Sequence, residues 1–103
     1  MENIYHITTN KEWEIAKKDG FYVASSLHIE GFIHCSKAEQ VDGVLDRYYK
    51  GISGLVKLVI DVTKLNHKLV YELAPSVNQE FPHIYGSINI DAVIDVVVLN
   101  NNS

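Results

Sequence analysis

The segment Leu55–Val62 has the sequence LVKLVIDV, in which apolar side chains alternate with a smaller number of polar ones and Val and Ile are frequent. A period of two and a high content of branched side chains are typical of a β-strand with one buried face. Leu69–Leu73 repeats this pattern over a shorter length, and Ala92–Leu99 is dominated by branched side chains. These segments predict that the second half of the chain consists mainly of strands.

The first half is predicted to begin with a strand followed by a helix. Ile4–Thr8 alternates apolar and polar side chains, and Thr9–Glu12 has the spacing of a capping box. The predicted helix covers about residues 10–18 and ends at Gly20, since glycine accommodates the left-handed conformation that closes many helices. The side chains predicted to form its buried side are Trp13, Ile15 and Ala16.

A second strand and a second helix are predicted farther along the chain. Phe21–Ala24 is predicted to be a brief extended segment, Ser25–Glu30 a turn or short helix, and Gly31–Cys35 a strand entered through its glycine. Ser36–Glu39 again has capping-box spacing, with its serine as the predicted N-cap. The helix that follows is predicted to end at Gly51 and to bury one face, formed by Val41, Val44, Leu45 and Tyr48.

Two helices near the N-terminus, ahead of five or six strands that lie mostly late in the chain, predict an α+β domain. Alternating βαβ units are missing, so the sheet is predicted to be largely antiparallel or split. The chain of 103 residues has the length of one domain, residues 1–103, within which residues 100–103 are predicted to form a loose tail.

Composition limits the classes of partner. Nine Lys and Arg residues oppose thirteen Asp and Glu residues, the net charge is −4, and Arg47 is the one arginine. Because phosphate backbones are bound by clustered basic residues, long nucleic acid is not expected as a partner. The apolar runs are far shorter than the ~20 residues that cross a bilayer, so no membrane partner is expected. The single cysteine, Cys35, fits a reducing compartment, and the predicted location is the cytoplasm.

Three segments contain polar side chains that a purely apolar core would not need. His6 lies in an apolar strand, His34 and Ser36 lie at a strand-to-helix junction, and His83 and Tyr85 share a predicted loop bracketed by proline and glycine. Strand-to-helix junctions favour anions, and loops with aromatic and titratable groups are frequent in binding sites. Each place also has a structural interpretation: a hydrogen-bonded core histidine, a helix cap, and an aromatic plug that closes the core.

A glutamate, the cysteine and the set of histidines are three further candidates for a chemical role. Glu72 is predicted to lie on the face of its strand opposite the apolar neighbours, in solvent or in a cleft. Cys35 beside His34 suggests a thiol nucleophile, but adjacent strand residues point to opposite faces, so a buried structural thiol is favoured. The histidines have no HxH or HxxxH spacing, and no metal site is predicted.

Several blocks of the sequence together resemble a known bacterial family. The most specific blocks are Glu30–Ser36 and Phe81–Gly86, preceded by Ile4–Thr8 and accompanied by Asp61 and Glu72. In this order, and over nearly the whole chain, they are similar to the family called domain of unknown function 952.

This resemblance implies a fold similar to that of the ADP-ribosyltransferases, in which a split and strongly bent sheet holds an NAD-binding cleft between its halves. In that superfamily an early strand offers a histidine or arginine to the dinucleotide, a second strand adds a polar contact, and a late strand supplies a glutamate. By resemblance, His6 matches the first position, His34 or Ser36 the second, and Glu72 the third.

The same resemblance implies roles for these side chains if NAD is the substrate. Glu72 would stabilise the positive charge that develops on the ribose as nicotinamide leaves. The imidazoles of the two earlier strands would bond ribose or phosphate, and Tyr5 or Tyr85 would stack on a ring of the ligand. His83 would be a further acid or base.

Three functions from different classes are left open. The first is a non-catalytic module that binds a nucleotide or another small anionic ligand in a cleft formed by His6, His34 and His83. The second is an enzyme that transfers ADP-ribose from NAD or cleaves the glycosidic bond of NAD, with Glu72 and His34 at its centre. The third is an interaction protein whose histidine cluster is structural.

Overall fold

Within residues 3–99, which the computed structural model describes, eight β-strands form three antiparallel sheets and three α-helices precede the fourth strand. The strands are β1 Asn3–Thr9, β2 Phe21–Tyr22, β3 Ile33–His34, β4 Leu55–Asp61, β5 Leu69–Ala74, β6 Gln79–Ile84, β7 Ile88–Asn89 and β8 Val93–Val98. The helices are α1 Asn10–Asp19, α2 Ser25–Glu30 and α3 Val41–Tyr48. The predicted α+β class with antiparallel sheets is confirmed, whereas the predicted number of helices is too low because Ser25–Glu30 forms one. The predicted tail at residues 100–103 lies outside the described residues.

The strands form two three-stranded sheets and one short pair. The first sheet has the order β1-β4-β8, and β1 pairs with β4 along its whole length, from Asn3 opposite Asp61 to Thr9 opposite Leu55. The second sheet has the order β3-β6-β5, and β2 pairs with β7 in the two-stranded sheet. None of the helices in residues 3–99 is long and apolar enough to span a membrane.

The core lies between the two three-stranded sheets. Both sheets contribute side chains with no exposed surface to one continuous apolar cluster. Burial of branched side chains at this density supplies most of the free energy that opposes chain entropy. The fully buried members from the first sheet are Ile4, Leu58 and Ile60, and those from the second are Ile33 and Ile84.

Helix α1 begins and ends where the sequence predicts. The Thr9 hydroxyl accepts a hydrogen bond from the backbone N–H of Glu12 at 3.1 Å, and Gly20 adopts a left-handed φ of 90° while its N–H bonds the Ala16 carbonyl. Burial of Trp13 and Ala16 is confirmed, but the prediction for Ile15 is wrong, since it is 50% exposed. Ile15 follows Trp13 by two positions, which places it on roughly the opposite side of a helix with 3.6 residues per turn.

The second predicted capping box is wrong in detail. The backbone of Ser36 pairs with Tyr5 of β1, so Ser36 ends an extended segment and does not cap a helix. A 3₁₀ turn over Ala38–Gln40 comes first, and α3 follows it. On α3 the predicted burial of Tyr48 is also wrong, since its side chain is 63% exposed and Tyr49 packs against the core instead.

The predicted loop Phe81–Gly86 is mostly strand, which corrects the sequence-based prediction. Residues 81–84 belong to β6, the central strand of the second sheet. Proline is unusual there because it lacks a backbone N–H. Pro82 is tolerated because its carbonyl still accepts a bond from the Cys35 N–H at 2.9 Å, at the point where β3 ends. This placement puts His83 on a rigid strand.

Gln40 ties the segment after β3 to the second sheet, and its removal is predicted to destabilise the fold. Its buried amide accepts a bond from the Lys37 N–H at 2.9 Å and donates one to the Glu80 carbonyl at 2.8 Å. We expect Gln40→Ala to lower the free energy of unfolding by about 2 kcal/mol, because both backbone groups lose their partner. Urea denaturation would measure the change. The neighbouring exposed variant Glu39→Ala should stay within about 0.5 kcal/mol of the parent, and equal effects of the two variants would contradict this role.

Candidate functional site

A cavity of about 750 Å³ lies between β1, the end of β3, the C-terminal part of α3 and the turn that joins β5 to β6. Its wall combines apolar and aromatic surface with several hydroxyl groups and three imidazoles, which is the usual composition of a small-molecule site. The imidazoles belong to His6, His34 and His83. The strands therefore bring together the three histidines that the sequence singled out.

Both ring nitrogens of His6 form hydrogen bonds within the protein. Its Nδ1 lies 2.6 Å from the carbonyl oxygen of His34, and because a carbonyl can only accept, Nδ1 carries a proton. Burial lowers the pKa of His6 to about 4, which keeps the ring neutral and leaves Nε2 as an acceptor. The hydroxyl of Tyr22, 2.9 Å from Nε2, donates to it, and Thr8 lies 3.0 Å from that hydroxyl. His6 thus anchors the end of β3 to β1.

His34 has the opposite environment. Its ring is about half exposed, and its Nε2 lies 3.2 Å from both carboxylate oxygens of Glu30, the last residue of α2. The left-handed residue Gly31, with φ of 87°, turns the chain from α2 into β3 and places Glu30 beside His34. A half-exposed imidazole on the cavity wall can form hydrogen bonds with a ligand.

His83 is buried and held by a carboxylate. Its Nδ1 lies 2.7 Å from Oε1 of Glu72, and the hydroxyl of Tyr85 donates to the same oxygen at 2.7 Å. The hydrogen bonds from Tyr85 and then from His83 lower the pKa of Glu72, so the carboxylate is ionised near neutral pH. Glu72 faces Phe81 across the β5–β6 pair, which puts it diagonal to His83 on one face of the sheet.

The ring of Phe32 contacts the rings of both His34 and His83. Its ring stacks on His83 with centroids 4.1 Å apart and planes inclined by 15°, and it meets His34 edge-on at 4.9 Å. The rings of His34 and His83 lie 5.0 Å apart at 81°. Because stacked and edge-on contacts restrict ring rotation, the two imidazoles have fixed relative orientations.

The other predicted site residues occupy three kinds of position. Ser36 is buried and lines the cavity. Glu72 and Tyr85 lie behind His83, and neither belongs to the described cavity wall. Tyr5 packs with the smaller apolar cluster around Ile7 and has the Lys57 ammonium 5.3 Å from its ring centre, again outside that wall.

Sequence reasoning missed the aromatic side chains that do line the cavity. They come from β2, from the end of α3 and from β6, three segments that the sequence separates widely. The paired tyrosines at the end of α3 were a usable signal, since successive helix residues point about 100° apart and two large adjacent rings cannot both face the core fully. These aromatic lining residues are Tyr22, Tyr48, Tyr49 and Phe81.

The cavity wall is poor in charge and in nucleophiles. Among its described residues Glu12 is the one carboxylate, and neither lysine nor arginine occurs. Cys35 reaches the wall, but its thiol is buried and desolvation raises its pKa far above the usual value, so it is a structural thiol. In residues 3–99 no three His, Cys, Asp or Glu side chains are grouped so that they could hold a metal ion.

Comparison with known proteins identifies the family. The sequence profile described as "Protein of unknown function (DUF952)" matches residues 7–96. The chain belongs to this family. No curated protein matches the sequence.

The fold of this DUF952 chain is similar to that of protein CC0527 from Caulobacter crescentus. The crystal structure of CC0527 superposes with a TM-score of 0.88 at 27% sequence identity and covers 98% of this chain and 89% of that chain. Its solution NMR structure gives a TM-score of 0.84 at 28% identity, with 100% and 89% coverage. The similarity extends over both three-stranded sheets and therefore over the elements that form the cavity.

Burial of neutral His6 predicts a specific loss of stability in mild acid. The unfolded chain binds the proton near pH 6.5 and the folded chain only near pH 4, so lowering the pH through this range favours unfolding. By pH 5 we expect this residue alone to have cost about 2 kcal/mol relative to pH 7. Urea denaturation at the two pH values measures the difference. His6→Gln should be less stable at pH 7 but should lose markedly less between pH 7 and 5, and an unchanged pH dependence would contradict the assignment.

Proposed function

We propose that the protein binds a nucleotide or another small anionic ligand in the cavity between its two three-stranded sheets. Support comes above all from one observation: His34 and His83 stand side by side, 5.0 Å apart, on the wall of a cavity of about 750 Å³. Convergent polar groups on a concave and mostly apolar surface are the usual basis for recognising a small molecule.

The wall offers separate partners for the parts of a nucleotide. The exposed ring of Tyr48 and the half-buried ring of Phe81 provide apolar surface for a base, and the hydroxyls of Ser25 and Ser26 provide partners for a sugar. A phosphate would meet the exposed imidazole of His34, which donates hydrogen bonds when protonated. Because neither lysine nor arginine occurs among the described wall residues, a ligand with one phosphate suits this cavity better than one with a pyrophosphate.

We further propose that the two sheets form a split, bent arrangement of the ADP-ribosyltransferase type, with the cavity in the place of the NAD cleft. Consistent with this, His6 lies on the first strand, His34 on the strand that ends beside it, and Glu72 on a late strand. We expect the ligand to be a small molecule from the cytoplasm, with neither long nucleic acid nor a membrane as partner.

Cleavage or transfer at the glycosidic bond of NAD is the second candidate function. It is favoured by the ionised carboxylate of Glu72, which lies one imidazole away from the cavity and carries the charge needed to stabilise an oxocarbenium ion. An interaction protein with a purely structural histidine cluster is the remaining alternative.

Ligand binding predicts a rise in melting temperature. AMP at 100 times its Kd would add about 2.7 kcal/mol to the free energy of unfolding, which corresponds to about 10 °C or more for a domain of this size. We expect thermal-shift measurements to show this rise, to show smaller rises with ADP-ribose and NAD at equal concentration, and to show its loss in His34→Asn. The exposed histidine of α2 provides the control, and His28→Asn should respond like the parent. No rise with any of the three would favour a structural histidine cluster.

NAD cleavage makes a separate prediction. Incubation with NAD should release nicotinamide from the parent protein and at least about 100-fold more slowly from Glu72→Gln, because the developing positive charge on the ribose loses its counter-charge. Chromatography of the reaction mixture measures the release. Equal release by the two proteins would contradict a role for Glu72, and no release by the parent would leave binding as the function.

A further inference from the structure

The contact between His83 and Glu72 determines which ring nitrogen of His83 carries a proton. Burial of a histidine alone would not determine this. A carboxylate only accepts hydrogen bonds, so the short 2.7 Å contact places a proton on Nδ1 of His83. Tyr85 donates to the same Oε1, which holds the carboxylate in place from the other side. When the ring is neutral, its Nε2 therefore has a free lone pair. This is the arrangement in which an imidazole acts as a base with a defined orientation.

Nε2 of His83 opens to the cavity. In residues 3–99 no side-chain nitrogen or oxygen is both fully buried and without a hydrogen-bond partner. The Nδ1 atom is bonded to Glu72, which is not part of the described wall, whereas the His83 ring is. Its Nε2 has no partner among the described side chains, so it must be reachable from the cavity. Phe32, stacked on the ring at 4.1 Å, prevents the ring from turning away.

His34 supplies a second imidazole with a carboxylate of its own. Its Nε2 lies 3.2 Å from both oxygens of Glu30, so the proton on that nitrogen is directed at the carboxylate, and a proton given to a ligand would come from Nδ1. The ring is half exposed and can exchange its proton with solvent between reaction cycles. The site thus holds a buried imidazole oriented as a base and an accessible one suited to be an acid, with centroids 5.0 Å apart.

None of the hydroxyl groups on the described wall is held by His83 as a nucleophile would be. His83 makes no hydrogen bond to a serine, threonine or cysteine side chain within residues 3–99. The Cys35 thiol is buried and structural. A hydroxyl activated by His83 must therefore belong to the bound molecule or to water. In a ribonucleotide the 2′-hydroxyl next to a 3′-phosphodiester is such a group, already close to the phosphorus that it would attack.

We propose that His83 and His34 act as general base and general acid in the cleavage of a small ribonucleotide phosphodiester by its own 2′-hydroxyl, a step that depends on the proposed binding of a nucleotide in the cavity. Nε2 of His83 takes the 2′-hydroxyl proton as the oxygen forms a bond to phosphorus. The bond from phosphorus to the 5′-oxygen breaks, and that oxygen receives a proton from His34. The products are a 2′,3′-cyclic phosphate and a free 5′-hydroxyl, and no further reactant is needed. Glu72 and Tyr85 are positioning residues for His83.

The dinucleoside monophosphate UpA is the substrate with which to test this activity, with chromatographic detection of the cyclic phosphate and of adenosine. We expect the parent protein to cleave UpA and not its analogue that lacks the 2′-hydroxyl. His83→Asn should lower kcat by at least about 100-fold, and His34→Asn, which also weakens binding, should lower kcat/KM by at least as much. Glu72→Gln should lower kcat about 10-fold or more and leave KM nearly unchanged, because it disturbs the orientation of His83 and not the binding of substrate. His28→Asn, purified in parallel, should keep the parent rate.

The possible outcomes separate this proposal from the binding function. A thermal shift with AMP in the absence of UpA cleavage would overturn the acid–base proposal and leave nucleotide binding intact, whereas no shift with AMP or UpA would remove both. Cleavage of the deoxy analogue, or full activity in His83→Asn, would also overturn the proposal. Circular dichroism establishes that each variant is folded, and His83→Gln replaces His83→Asn should the latter fail to fold.

Discussion

The antiparallel bridge between Tyr5 and Ser36 is the connection on which the arrangement of the two large sheets depends. Two backbone hydrogen bonds, of 2.8 and 2.7 Å, join the middle of β1 to the residue that leaves the second sheet. The imidazole of His6 adds a third bond directly beside them by donating to the His34 carbonyl. Because backbone bonds fix position to within a few tenths of an ångström, His34 is placed by the first sheet although it belongs to the second. The cavity lies beside this bridge, since His6, Cys35 and Ser36 all line it.

The three imidazoles of the cavity wall differ by how many of their nitrogens the protein uses. His6 uses both, and burial keeps it neutral, so its part is structural even though it lies at a position that the family resemblance would assign to a ligand. His83 and His34 each use one nitrogen, but the His83 ring is buried and the His34 ring is about half exposed. A histidine in an apolar strand therefore does not by itself indicate either a structural role or a ligand-binding role. The hydrogen-bond partners decide whether a ring anchors a strand or faces a ligand.

Local patterns allowed much of the fold to be predicted from sequence. β1, β4, β5, β8 and α1 all appear where periodicity and capping place them, because their alternation or capping signals are local. The failures are places where a distant contact overrides the local signal. Ser36 has the spacing of a cap, but its backbone groups bond β1 instead. Pro82 suggests a loop, yet β6 pairs with β5 over six residues and the Pro82 carbonyl still accepts a bond from Cys35, so the strand lies in the centre of a sheet.

The sequence allowed the residues of the candidate site to be predicted, but not how they are arranged in space. His34 and His83 meet because β3 pairs with β6 in a register that sets them directly opposite each other, and nothing in either strand alone specifies that register. A second register, that of β5 with β6, puts Glu72 behind His83, and Phe32, just before β3, stacks over the ring, so one ring separates the carboxylate from the cavity. A glutamate on the correct strand thus acts on a ligand only through the histidine in front of it. The described wall carries neither lysine nor arginine, and the carboxylates of Glu30 and Glu72 lie beside its two neighbouring imidazoles. Such a wall can accept a single negative charge at the histidines, and it leaves the remaining surface of the ligand to hydroxyl and aromatic contacts.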